Sequence, residues 1–170
     1  MSGWKNRIVG HGEEDPTQLL ANPRNWRIHP KAQQAALTGV LDEVGWVAEV
    51  IVNRTTGHVV DGHLRVGIAL SRNETTIPVR YVELSEDEEA LVLATIDPIS
   101  AMASVDKEQL ARLLHEVNTG APAVTEMLAQ LGANSGAITP DFDPVGIDEQ
   151  GRLDQKAAVI CPNCQHEFVP

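Results

Sequence analysis

The stretch His58-Val-Val-Asp-Gly-His-Leu-Arg-Val-Gly-Ile-Ala-Leu70 decides how this chain folds. HVVD (58–61) has the β-branched character of a short buried strand, and HLRVGIAL (63–70) changes to the three-and-four spacing of a helix. Gly62 stands where the two periods meet, so the order is strand, tight turn, helix. Such a turn leaves the first backbone N–H groups of the helix without intrahelical partners, in a place that suits phosphate or carboxylate. Gly62 supplies either a positive φ or room for close approach. Arg65, one turn in, is placed to grip phosphate, and His63 to bind an anion or handle a proton. The plainer alternative makes Asp61 a helix cap, Gly62 a turn glycine and Arg65 a solvated side chain.

Working outward, VAEVIVN (47–53) precedes a loop containing Gly57 and pairs with 58–61 as a hairpin. IPVRYVEL (77–84) reads as a third strand. KAQQAALTGVLDEV (31–44) is an amphipathic helix with Gly45 as its stop. Ser85 and Glu88 form a capping box that opens the helix 85–95. Beyond Asp97-Pro98 the pattern is helical, with a pair at 105–118 and 121–132, the first capped by Asp106. The second helix of that pair lacks Lys and Arg, which speaks against a DNA-recognition helix and for a packing or dimerisation element. The expected organisation is a flexible arm at 1–17, an α/β domain with a small mixed sheet at 18–97 and a helical C-terminal extension at 98–132. A linker at 133–160 and a cysteine knuckle at 161–170 complete it.

Composition narrows the function classes. The net charge of −11 is uneven: residues 1–80 carry nine Lys/Arg against eight Asp/Glu, and residues 81–170 carry four against sixteen. The first half therefore tolerates a phosphate ligand but offers no broad basic surface. The acidic second half suits a basic protein partner, or solubility alone. No apolar run is long enough to span a membrane and the N-terminus does not read as a signal peptide, so the expected setting is cytoplasmic, with no membrane partner. Two cysteines exclude a disulfide scaffold. Cys161 and Cys164, in CPNC, have the spacing of half a zinc site, to be completed by a second copy in a homodimer, by a distant histidine such as His115, or not at all.

The run from NPRNWRIHP (22–30) through the Asp-Gly-His-x-Arg turn to ATID (94–97) resembles the ParB/sulfiredoxin-like superfamily, in particular its phage and bacterial ParB-domain nuclease branch. The resemblance covers about residues 15–97, roughly half the chain. In chromosome-segregation members the corresponding turn reads Gly-Glu-Arg-Arg and helps to hold the triphosphate of CTP; Gly62 and Arg65 match its ends, while His63 and Leu64 replace the Glu and the first Arg. In sulfiredoxins it reads Gly-Cys-His-Arg, and His63 occupies the cysteine position, which sets that reaction aside. The resemblance also implies that the early Asn-Pro-Arg segment lies near the pocket, making Asn22 and Arg24 candidates for binding nucleotide or nucleic-acid backbone.

The expected site is thus Asn22, Arg24, Gly62, His63 and Arg65 for phosphate or DNA, with Asp61, His63 and Arg65 as a catalytic set for phosphodiester cleavage. Asp61 would hold a divalent metal ion such as Mg with help from the substrate. Two alternatives stand beside cleavage of DNA: a regulatory or adaptor module that binds a nucleoside triphosphate (CTP or ATP) without catalysis, and a nucleotide-dependent phosphotransferase.

Overall fold

The computed structural model describes residues 3–138, 159–160, 164 and 166–168. The chain divides into two units, 1–139 and 140–170. The first is a mixed α/β domain built on a four-stranded sheet: β1 (Ile8–Glu14), β2 (Val50–Asn53), β3 (Val59–Asp61) and β4 (Ile77–Val82), in the order β1-β4-β2-β3. β1 and β4 are antiparallel, β4 and β2 parallel, and β2 and β3 an antiparallel hairpin. The helices are α1 (Lys31–Val44), α2 (His63–Arg72), α3 (Glu86–Ala101), α4 (Lys107–Glu116) and α5 (Pro122–Ser135). In the second unit Val159–Ile160 and Glu167–Phe168 pair as two short antiparallel strands.

The parallel β2–β4 pairing needs a crossover, and β3 followed by α2 supplies it. α2 lays Val66 and Ala69 onto Val50, Val52, Val59, Ile77 and Val79, so the core is small and β-branched. Each of these buried valines contributes on the order of 1.5–3 kcal/mol of apolar transfer. Gly39 in α1 lies so close to α5 that a Cβ there would stand 2.7 Å from the Ala121 Cβ. Glu43 fastens the same contact by accepting from the Gly120 N–H at 2.6 Å and the Thr119 hydroxyl at 2.8 Å.

Three expectations change. Residues 8–14, inside the segment read as a flexible arm, form the edge strand β1. Their pattern hid this because most of β1 is exposed, and Gly10 and Gly12 stand beside the Tyr81 ring where apolar alternation would have been diagnostic. α3 passes through Pro98 and ends at Ala101, so the helical extension has no boundary at residue 97. α5 continues to Ser135 and so takes up the start of the expected linker. Cys164 is exposed, while Cys161 and the zinc site expected of the pair lie outside the described residues.

A buried carboxylate ties the loops to this frame. Glu89 on α3 is 3% exposed. Its Oε1 accepts from Asn22 Nδ2 at 2.8 Å, and its Oε2 from Asn53 Nδ2 at 2.7 Å and Thr56 Oγ1 at 2.5 Å. Asn53, fully buried at the end of β2, also bridges Leu84 through its N–H and carbonyl. Burial by itself would raise the Glu89 carboxyl. The hydrogen bonds from Thr56, Asn53 and Asn22, with His58 nearby, outweigh it and hold the group below its ordinary value.

Glu89→Ala leaves the buried Asn22 amide and the part-buried Thr56 hydroxyl without their acceptor and the buried Asn53 amide with the Leu84 carbonyl alone, and is expected to cost about 3 kcal/mol in urea unfolding. Because the folded pKa is depressed, the Glu89 contribution is present above pH 4.5 and disappears as pH falls through the folded value. A variant as stable as the parent at pH 7 would contradict the assignment.

Candidate functional site

The turn after β3 has the geometry its sequence implies. Gly62 adopts φ 96°, and a Cβ there would meet the Val50 Cγ2 at 3.1 Å and the Arg65 Nε at 3.3 Å. Glycine is therefore required for both conformation and space. Gly62, rather than Asp61, is the cap residue of α2, and no side chain caps the helix. The first helical bond runs from the Val66 N–H to the Gly62 carbonyl, which places the amides of His63, Leu64 and Arg65 ahead of the ladder.

Arg65 does not reach outward along those amides. Its Nη2 donates to Asp61 Oδ2 at 2.8 Å and to the Glu49 carbonyl at 3.3 Å, and its Nε is buried without an acceptor. Asp61 faces a second guanidinium: Arg27 Nη1 lies 3.9 Å from Asp61 Oδ1. Arg27 Nε is 2.5 Å from Asp97 Oδ2, off the N–H direction, so this is a Coulombic contact in which Nε, like Nη2, keeps no aligned acceptor. Two arginines thus converge with two carboxylates beside an uncapped helix start.

His63, half-buried, accepts the Asn22 main-chain N–H on Nε2 at 3.3 Å, which puts the proton of the neutral ring on Nδ1. Burial holds His63 below its ordinary value; the Asp61 carboxylate opposes this, and Arg27 and His29 add to it. The ring is neutral at pH 7, and its Nε2 is already engaged.

The early segment divides. The backbone of Asn22 meets His63 while its side chain is held by Glu89, so Asn22 joins the turn to the carboxylate hub. Arg24 turns instead to the start of α3, donating to the Glu86 carbonyl at 3.4 Å with Glu86 Oε2 at 3.8 Å. It borders a cavity of about 290 Å³ together with Thr55, Thr56, His58 and Glu89. His58 belongs to that side as well, its Nδ1 3.8 Å from Glu89 Oε1.

Arg27 and Asp97 do not stand out in the sequence. Arg27 sits three residues after Arg24 in an irregular turn, and nothing in its spacing separates a buried arginine from a solvated one. Trp26 fastens this turn to α3 by donating Nε1–H to the Leu93 carbonyl at 3.2 Å. Asp97 has the look of a boundary before Pro98, and only the continuation of α3 brings it to Arg27. Among the described residues, no group of three or more His, Cys, Asp or Glu side chains is placed to hold a metal ion. Among them, no helix is long and apolar enough to cross a membrane.

No family model matches the chain, and no curated protein matches it. The fold is similar to the C-terminally truncated chromosome-partitioning protein ParB from Caulobacter crescentus complexed with CTP-γ-S. The two are 18% identical over 77% of this chain and 73% of that one, with a TM-score of 0.51. Two further solved structures are a Pnob8-like ParB-N domain at 15% identity, covering 78% of this chain and 51% of that one, TM-score 0.47, and a pNOB8-like ParB N-domain at 13%, covering 79% and 48%, TM-score 0.48. This chain spans about half the length of those two. The likeness to the Caulobacter protein is one of fold.

Gly62→Ala forces a side chain into the left-handed region against Val50 and Arg65, and is expected to destabilise the domain by about 1–3 kcal/mol in denaturant titration. Since unfolding releases His63 to a higher pKa, its contribution is complete above about pH 6.5 and declines as pH falls below that value. A His63→Gln variant should show a shallower loss of stability between pH 7 and pH 5.5 than the parent. Equal slopes would place the neutral histidine elsewhere.

Proposed function

We propose that the domain is a regulatory or adaptor module that binds a nucleoside triphosphate, with the phosphates at the amides of residues 63–65 and the guanidinium of Arg27. The observation that carries this reading is the meeting of two guanidinium groups with buried, unmatched N–H donors at an uncapped helix N-terminus. Buried polar groups are ordinarily hydrogen-bonded, and a phosphate supplies the acceptors that two carboxylates leave lacking. Arg27 takes the principal role because Arg65 is anchored to Asp61 and the Glu49 carbonyl; Arg65 and Asp61 shape the turn. CTP is the first nucleotide to test, since the solved ParB of similar fold was complexed with CTP-γ-S.

Phosphodiester cleavage has less to draw on. His63, the expected proton carrier, has its accepting nitrogen occupied by Asn22, and Arg65 is committed within the protein. Arg24, expected at the same pocket, turns to Glu86, and His58 lies beside Glu89.

Calorimetric titration with CTP, ATP and a labelled DNA duplex at two salt concentrations separates the readings. CTP or ATP is expected to bind without hydrolysis or DNA cleavage, and Arg27→Gln should weaken binding by about tenfold or more, the scale of a lost charged hydrogen bond. Cleavage of the duplex, or nucleotide affinity that ignores Arg27, would contradict the proposal.

A further inference from the structure

The Arg27 ion pair is unequal in its surroundings. The side chain of Arg27 is 13% exposed, whereas that of Asp97 is 53% exposed. A cation withdrawn that far from water requires an anion beside it, and here the anion stands at the solvent edge. Its attachment is also light. Pro98, the next residue, has no N–H, so the Ala94 carbonyl loses its helical donor where α3 carries Asp97. Ile99 and Met102 beyond it are exposed.

The geometry of the pair is that of a stand-in. Asp97 neutralises Arg27 through a contact lying off the Nε–H direction, Asp61 is 3.9 Å from Nη1, and Nη2 has no acceptor. The charge is met while the donors are not. An anion with several acceptor oxygens around one centre would meet both, and the carboxylate that must leave is the one that can reach water without opening the core.

We propose that Asp97 is a built-in competitor for the ligand: its carboxylate occupies the phosphate position against Arg27 and sets the affinity of the site. This rests on the phosphate-binding reading above and adds its control. Arg27, Arg65, Asp61 and Asp97 sum to zero charge, so an anion of one negative charge gains little by exchanging with Asp97, and one of two or more charges gains the difference. Asp97 therefore sets a threshold that a multiply charged, pyrophosphate-like group passes more readily than a single carboxylate.

The test is calorimetric titration of the full chain with inorganic pyrophosphate in EDTA, so that no metal bridge contributes. Asp97→Asn should bind about fivefold tighter than the parent, the scale of a half-exposed ion pair. Asp97→Glu, which restores the charge, should return toward the parent. Asp87→Asn, at the exposed first turn of the same helix, should stay near the parent. Without ligand, Asp97→Asn should also melt lower than the parent, because Arg27 loses its counter-charge, and pyrophosphate should restore it. Parent binding with an unchanged or weakened Asp97→Asn overturns the competitor role and leaves the phosphate site standing. An equal gain in Asp87→Asn reduces the effect to net charge and overturns it too. Absence of binding in every variant removes both readings.

Discussion

The carboxylate of Glu89 is the constraint on which the rest of the domain depends. It receives donors from three separated places in the chain, at residues 22, 53 and 56, and joins α3, the end of β2, the hairpin loop and the irregular segment before α1. Removing a carboxylate from water is costly unless its lone pairs are met, and here amides and a hydroxyl meet them. The consequence reaches the turn: with its side chain held by Glu89, Asn22 presents its backbone N–H to His63. The segment carrying Arg27 is then fixed again at Trp26 through the Leu93 carbonyl. Arg27 is thereby set by this frame, while Arg65 is set by Asp61 and the Glu49 carbonyl.

That frame makes a site which is neutral and incompletely hydrogen-bonded. Arg65 is the structural member, drawn under Gly62 toward Asp61 and Glu49, and Arg27 is the member with donors to spare. On the proposed reading, a neutral balance suits a regulated binding module better than an open cationic groove: the unliganded guanidinium keeps a counter-charge, which the ligand displaces. It also makes the proposed anionic ligand compatible with a chain of net charge −11, because binding through a few buried donors needs no long-range positive field.

Sequence made the local chemistry legible. The change of period at Gly62, the Ser85/Glu88 capping box, the Gly45 stop and the Asp106 cap all involve residues within a few positions of one another, and each is present. What sequence did not display was long-range. Glu89 is one of four acidic residues in a helical first turn, where solvation is the ordinary expectation, yet it is the one directed inward. Asp97 and Arg27 meet across 70 positions, and no spacing rule links them. β1 escapes a periodicity reading because an edge strand needs few apolar residues, and glycines occupy two of its positions beside Tyr81 on the neighbouring strand. The Asn22-Pro23-Arg24 motif drew attention to this segment, and the arginine in it that comes within 3.9 Å of Asp61 is Arg27.

The central claim is that the α2 amides and the Arg27 guanidinium together receive phosphate oxygens. Heteronuclear NMR of 15N-labelled protein titrated with CTP reads both groups in one spectrum. Shifts concentrated on the amides of His63, Leu64 and Arg65 and on the Arg27 Nε–H are the predicted result. Shifts confined to Arg24, Thr56 and His58 at the cavity beside Glu89, or none at saturating nucleotide, would contradict it.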